Sequence, residues 1–365
     1  MMLRRGFLLA VAGFLLTLPA LAQTRTSAAY AVSNVAVDAT SQSAVQARDI
    51  ARADGERRAF RTLLERLTLR QDWSRLPKVT DADLFALVQD FEVTTERSST
   101  VRYIATLTFR FRAEPVRRLL RDRGVPFAET PSKPMVVLPV LAAGNRAVLW
   151  DDPNPWRAAW GRQPLNEGLV PMQVPAGDLA AVQAIDTQQA VKGDKDALAA
   201  VGRHYDNADI LVAQATLSGS GDQRTLQLAT VRYSAGFSDQ NWASALKSDP
   251  KESDEDFYAR AVAAVVADVA EAWKKATLQQ TGAEATLIAV VPMKTLRDWV
   301  VVRDRLQNVP SVQRSVLLSL SQDGARIEIH YVGDPQQLQL VLSQRDLVLA
   351  QGDADWTLSA KSTGQ

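Results

Sequence analysis

Cysteine is missing from the 365 residues, and histidine occurs only as His204 and His330. Without cysteine no disulfide can form, no thiolate can act as a nucleophile, and no thiol can take a lipid after export. Two imidazoles and no thiolate are too few ligands for a zinc site of the usual type. A Ser-His-Asp triad would have to recruit one of the same two histidines. His330 falls inside an expected strand and His204 at an expected helix end, where a cation suits the dipole. Phosphate-loop, dinucleotide and nucleophile-elbow signatures are absent as well, and Gly219-Ser220-Gly221 reads as a hairpin turn. Charge of one sign is also lacking, since 42 Lys and Arg oppose 41 Asp and Glu. That balance offers no bulk attraction to nucleic acid or anionic lipid. The chain is expected to carry no metal, no cofactor and no catalytic residue.

A long apolar run is found at the start of the chain, and it is short for a membrane span. Arg4 and Arg5 are basic, Phe7 to Leu18 is almost unbroken apolar sequence, and Ala20-Leu21-Ala22 fits the small-x-small rule for cleavage. A spanning helix needs about 20 residues, so residues 1–22 read as a signal peptide cleaved after Ala22. Arg4-Arg5-Gly6-Phe7-Leu8 resembles a twin-arginine signal but lacks its flanking residues, which favours the general secretory route. The mature chain, with no further transmembrane run, is expected to be soluble, periplasmic and not a lipoprotein.

What is present is the balance of a globular protein, with 46% hydrophobic and 23% charged residues. Domains of about 100–200 residues make two or three units. The first, residues 27–124, reads as a small α+β domain. Strand character at Tyr30 to Asp38 precedes a helix from Ala44 to about Leu69, with Phe60, Leu63, Leu64 and Leu67 at helical spacing. A shorter helix, Asp81 to Asp90, leads into a hairpin. In its second strand Tyr103, Ala105, Leu107, Phe109 and Phe111 alternate with polar residues. Pro115 suits the first turn of a helix ending at Gly124. Residues 125–134 carry three prolines and read as a linker.

The second unit, 135–282, reads as α/β. Met135 to Leu141 is apolar on both faces, as a central strand is. Asn154-Pro155 and Asp178 are placed to start helices. Strand Ala208 to Ala215 turns into Thr225 to Tyr233, and Ser253 opens a long helix to about Gln280. The third unit, 283–360, has the order β-α-β-β-α-β of a ferredoxin-like sandwich, with a turn at Gln322-Asp323-Gly324.

Three clusters are candidates for binding. Trp150, Trp156 and Trp160 lie close in sequence, and Trp156 and Trp160 share a helix face. They form either an anchor or sugar-stacking platform, or a staple between loop and core. Asp151, Asp152 and Asp178 flank strand ends of the second unit, where α/β proteins place sites, and a carboxylate pair among them is the form a glycosidase uses. Arg102, Arg110 and Arg112 edge one strand and either receive an acidic partner or solvate a sheet face.

Several short motifs carry a resemblance. Ala47-Arg48-x-x-Ala51, Tyr103-x-Ala105-x-Leu107, Val137-Leu138-Pro139-Val140, Trp150 with Asn154-Pro155-Trp156, and Pro175-x-Gly177-Asp178-Leu179 together resemble the domain of unknown function 2066 family of bacterial envelope proteins. The second unit is similar in element order to the N-terminal α/β domain of the TolB translocation protein, and the first to N-terminal domains of flagellar-envelope proteins. The resemblance implies a periplasmic binding or scaffold protein that docks cell-envelope proteins and catalyses nothing. The other function the residues allow is a cell-wall saccharide-binding protein or carboxylate-dependent hydrolase centred on the Trp and Asp clusters.

Overall fold

Alternation along residues 102–111 makes a strand that buries one face and wets the other. The computed structural model describes residues 28–144, 146–206, 208–234, 237–278, 284–321, 324–352 and 355–361. The signal segment and its cleavage residue Ala22 lie outside the described residues, as do Gln322 and Asp323 of the expected third-unit turn. β1 (Ala31–Thr40) and β2 (Val88–Ser98) flank β3 (Arg102–Phe111) in an antiparallel sheet. α1 (Ala44–Leu67) starts at Ser43, whose hydroxyl accepts from the Gln46 N–H, and lays Phe60, Leu63, Leu64 and Leu67 on the buried face of that sheet. The helix comes close because residue 55 is glycine: a Cβ there would stand 2.8 Å from Val37 Cγ1 and 3.1 Å from the Phe109 ring. α2 (Asp81–Leu87) precedes β2, and α3 (Ala113–Asp122) stops short of Gly124, which takes a φ of 60°.

The proline-bearing segment after Gly124 is packed. Val125, Phe127, Ala128, Glu129 and Thr130 are buried, and the Ala128 N–H donates to the Leu67 carbonyl at 2.8 Å. Proline fixes an extended backbone without preventing burial of the residues between.

β4 (Met135–Ala143) is buried on both faces. β5 (Arg146–Val148), α4 (Pro155–Gly161), β6 (Met172–Gln173) and α5 (Leu179–Ala184) follow. Then come α6 (Thr187–Lys192), α7 (Lys195–His204), β7 (Asp209–Ser218), β8 (Thr225–Tyr233), β9 (Gln240–Lys247) and α8 (Asp254–Ala276). The sheet runs β5–β4–β7–β8–β9, with β6 beside β4. β4 is parallel to β6 and β7, whereas the β7–β8 and β8–β9 pairs are antiparallel. The unit is therefore mixed rather than a continuous α/β alternation, because short turns can join only antiparallel neighbours. Val136, Leu138 and Val140 face Ile185, Leu198 and Val201 of the α5–α7 layer. Met135, Val137 and Leu141 face the other way, into a core shared with α4, α8 and the first unit.

The third unit comprises β10 (Glu284–Pro292), α9 (Leu296–Leu306), β11 (Val312–Leu320), β12 (Gly324–Val332), α10 (Pro335–Ser343), β13 (Leu347–Gln351) and β14 (Trp356–Ala360). Its sheet runs β11–β12–β10–β14–β13. A four-stranded split sandwich has no place for the fifth strand, β14, which stands between β10 and β13 and runs parallel to β10. Its buried side chains form a core of their own. Among the described residues the fold is mixed α+β, with three sheets.

Candidate functional site

The tryptophan–aspartate loop starts from one buried amide. Asn154 caps α4, its Oδ1 accepting from the Arg157 N–H at 3.0 Å. Its Nδ2 donates at 3.4, 3.4 and 3.2 Å to the carbonyls of Pro139, Val148 and Leu149. This ties the loop to β4 and points α4 inward. Trp156 and Trp160, four residues apart on one helix face, are both 0% exposed. Their rings meet edge to face at 5.6 Å, a favoured aromatic geometry. The Trp156 Nε1–H donates to the Ala213 carbonyl at 2.8 Å. Rings so covered cannot stack on a sugar, which corrects the reading of Trp156 and Trp160 as a binding anchor. They are large apolar side chains at the centre of a core, where burying each contributes about 3 kcal/mol or less.

Trp150 is half-buried and donates its Nε1–H to the Ile185 carbonyl at 2.8 Å. Gly177, at φ 80°, approaches it so closely that a Cβ would lie 3.4 Å from the indole and 2.9 Å from an Arg157 nitrogen. The Trp150 and Gly177-Asp178 motifs therefore do converge, as packing. The three aspartates do not converge as acids. Asp178 caps α5, accepting from the Ala181 N–H at 2.8 Å. Asp152, with its side chain 79% exposed, pairs with Arg157 at 2.9 Å, and Asp151 stands 3.9 Å from Arg146 at the surface. Burial, and then the charge of Asp178, push the Tyr205 hydroxyl above the usual range. Each carboxylate already has a separate structural partner, and the carboxylate-pair reading of Asp151, Asp152 and Asp178 is corrected accordingly.

The arginine strand is likewise engaged. Arg102 donates twice to Asp38, at 2.9 and 2.6 Å; this bond holds the Asp38 carboxyl below its ordinary range and raises Arg102. Arg110 reaches Asp90 at 2.7 Å and Glu92 at 2.5 Å across the β2–β3 pair. Arg112 donates to the Ala86 carbonyl at 3.0 Å. The face is a solvated lattice of exposed ion pairs, not a free cationic strip for an acidic partner. Among the described residues no cluster of three or more His, Cys, Asp or Glu is arranged to hold a metal.

The polar groups that organise the molecule lie elsewhere. Glu129 accepts from the Tyr30 hydroxyl at 2.6 Å and from Arg117 Nε at 2.8 Å. Lys274, 5% exposed, donates to the carbonyls of Thr68 at 2.5 Å and Glu65 at 3.1 Å, completing the C-terminus of α1. Beside it the Trp273 Nε1–H donates to the Thr130 carbonyl at 2.8 Å. Pattern gives little signal for Lys274, which falls one residue off the apolar stripe ending at Trp273 and so reads as solvent-facing.

Comparison with known proteins overturns the resemblance to the 2066 family. Residues 20–129 match a different family model, described as Domain of unknown function (DUF8605), over a stretch that takes in the first unit and Glu129. Several of the residues quoted for the other family, among them Asn154, Asp178, Tyr103, Ala105 and Leu107, are helix caps or core positions, and such features recur wherever a helix must start or a sheet must bury a face. No curated protein matches the chain. Two solved structures are similar in part. The lipoprotein GNA1162 from Neisseria meningitidis is 15% identical, with 38% of this chain and 97% of that chain covered at a TM-score of 0.25. A structure titled only as an uncharacterized protein is 11% identical, with 40% and 91% covered at a TM-score of 0.15. Among the described residues no helix is long and apolar enough to cross a membrane.

Proposed function

We propose that this chain is a non-catalytic docking protein of the cell envelope, exported to the periplasm and working through contacts with other envelope proteins. The observation that carries the proposal is the complete burial of Trp156 and Trp160. A saccharide site needs those rings at the surface beside the carboxylates, whereas a docking protein needs them only as core. Asp178 capping α5 and Asp152 pairing with Arg157 favour the same reading. On this reading the middle unit is TolB-N-like and the third unit ferredoxin-like. Both likenesses rest on element order, with β14 as the departure noted above.

Two measurements test it. Cross-linking in the periplasm of the host, followed by mass spectrometry, is expected to recover an envelope protein held by this chain. Replacing Asp151, Asp152 and Asp178 together by Asn, which preserves the cap at position 178, is expected to leave that capture and any saccharide affinity unchanged. Recovery of a cell-wall saccharide with the purified wild-type chain, lost in the triple variant, would overturn the reading.

A further inference from the structure

The neutral total of the chain hides an uneven distribution of charge. Residues 28–129 carry 17 Lys and Arg against 14 Asp and Glu, whereas residues 130–365 carry 22 against 27. The first excess gathers at one end of the first unit. α3 turns Val116 and Leu120, both 0% exposed, to the core and leaves Arg118 and Arg121 in solvent. Arg123 caps its end. The Arg75 guanidinium donates to the Gly124 carbonyl at 3.1 Å, which sets it beside Arg123, and exposed Lys78 follows three residues on.

The neighbouring carboxylates do not offset this face. Asp72 is buried and pairs with Arg75 at 3.1 Å, and Glu114 is shared by Arg117 and Arg121 at 3.3 and 2.8 Å. Glu129 lies inside, against Arg117. That leaves Asp122 against Lys78, Arg118 and Arg123, whose side chains have no hydrogen-bond or ion-pair partner among the described residues. Cations suit a helix C-terminus, but the half charge there is matched by one of them. The rest need another anion. Guanidinium forks match phosphate oxygens bidentately, and a convex helix face suits a surface rather than an enclosed small anion.

The path of the chain indicates which surface. The first described residues, Ala28 to Tyr30, join the fold against this helix. Arg117 lies 5.7 Å over the Tyr30 ring, and both bond Glu129; Arg118 is the next residue on α3. Residues 23–27 separate Ala22 from Ala28, a reach of roughly 20 Å at most. An export signal seated in a membrane thus holds this face within reach of the lipid headgroups.

We infer that the α3 face of the first unit docks on the headgroup phosphates of an anionic bilayer and keeps the exported chain at the membrane surface. The carboxylate excess of residues 130–365 turns those units away from the lipid. This goes beyond the docking proposal, since a chain with no protein partner still partitions to lipid. Co-sedimentation of the exported chain with vesicles tests it. Vesicles of phosphatidylethanolamine and phosphatidylglycerol are expected to bind about 100-fold more tightly than phosphatidylcholine vesicles, at about fivefold for each of the three unpaired cations. Salt at about 0.5 M is expected to release the chain. Arg118→Gln with Arg123→Gln is expected to cost about 25-fold at an unchanged melting temperature, since neither side chain has a partner to lose. Arg118→Glu with Arg123→Glu is expected to abolish the preference for anionic vesicles. Lys192→Glu with Lys195→Glu, the same change of charge on α6 and α7, is expected to leave it intact. Equal binding to both vesicle types, or anionic binding that both arginine variants retain, overturns the inference. So does release by inorganic phosphate but not by chloride at equal ionic strength, which would make the face a site for the free anion. Capture of an acidic protein at position 118, with no binding to either vesicle, overturns it as well.

Discussion

Glu129 is a carboxylate 3% exposed in a segment whose prolines suggest a spacer. It joins the two ends of the first unit, since Tyr30 precedes β1 and Arg117 lies on α3. Arg117 also lies over the Tyr30 ring at 5.7 Å. Burial, and then the neighbouring carboxylate, push the Tyr30 hydroxyl well above its usual range. Burial works against the charge of Arg117, but attraction to Glu129 and their hydrogen bond outweigh it and the guanidinium is held charged. Removing one member of such a pair leaves the other desolvated. Glu129→Ala is expected to cost about 3 kcal/mol in urea unfolding, whereas Asp152→Ala, at an exposed ion pair, is expected to stay within about 1 kcal/mol. The contrast explains what was legible at this scale. Positions that repeat, such as Phe60, Leu63, Leu64 and Leu67 on α1 or the inward residues of β3, announce their burial through spacing. Glu129 and Lys274 are single polar residues whose burial depends on partners distant in sequence, and spacing assigns both to solvent. The tryptophans admit two readings for a related reason: the spacing that puts Trp156 and Trp160 on one face leaves open whether that face is covered, and their burial selects the staple between loop and core.

At the scale of elements, helix starts were the most legible features. Asn154, Asp178 and Ser253 cap helices as their residue types require, because a cap is a local event within four residues. β9 gave little signal, since it is an exposed edge strand with Trp242 and Leu246 as its partly buried apolar residues. The turn from β9 into α8 is fixed by charge. Arg260 grips Glu252 at 2.9 and 2.8 Å and also donates to the Lys247 carbonyl at 2.8 Å. Arg224 and Arg260 each lie over the Phe257 ring, at 5.3 and 5.6 Å. The hydrogen bond from Arg260, aided by the Asp249 N–H and by attraction to Arg260 and Arg224, holds the Glu252 carboxyl down to about 2. A carboxyl depressed in the folded state stabilises it fully above its unfolded value, and that contribution disappears as pH falls through the folded value. The window here runs from about 4.5 down to about 2. Glu252→Gln is expected to be less stable than wild type at neutral pH, with the two curves converging as pH falls through that window. Urea unfolding at several pH values checks this, and curves that stay parallel to the acid limit would refute it.

Across the whole molecule, the order of elements was readable but the distribution of cores was not. One apolar cluster runs from the first sheet through Val125 and Phe127 to β4, α4 and α8, so the first two units are built on shared side chains. The third unit has a separate cluster. It meets the rest at a few points, among them Gln344 accepting from the Lys133 N–H at 2.8 Å and the Lys133–Asp346 ion pair. Such joins bring together residues about two hundred positions apart, and no local pattern encodes them. Stability should follow the cores, because cooperative units coincide with contiguous packing. Calorimetry is therefore expected to resolve two transitions, a larger one for the first two units together and a smaller one for the third. Trp273 sits on the shared side, 1% exposed, bonded to Thr130 and covered by Arg232 at 5.0 Å. Truncating a buried tryptophan costs about 3–5 kcal/mol, which for a unit of this size lowers the melting temperature by roughly 10 °C. Trp273→Ala is expected to move the larger transition by that amount and leave the smaller one in place. A single transition, or equal shifts in both, would mean that the contacts through Lys133 couple the third unit to the rest as tightly as a shared core does.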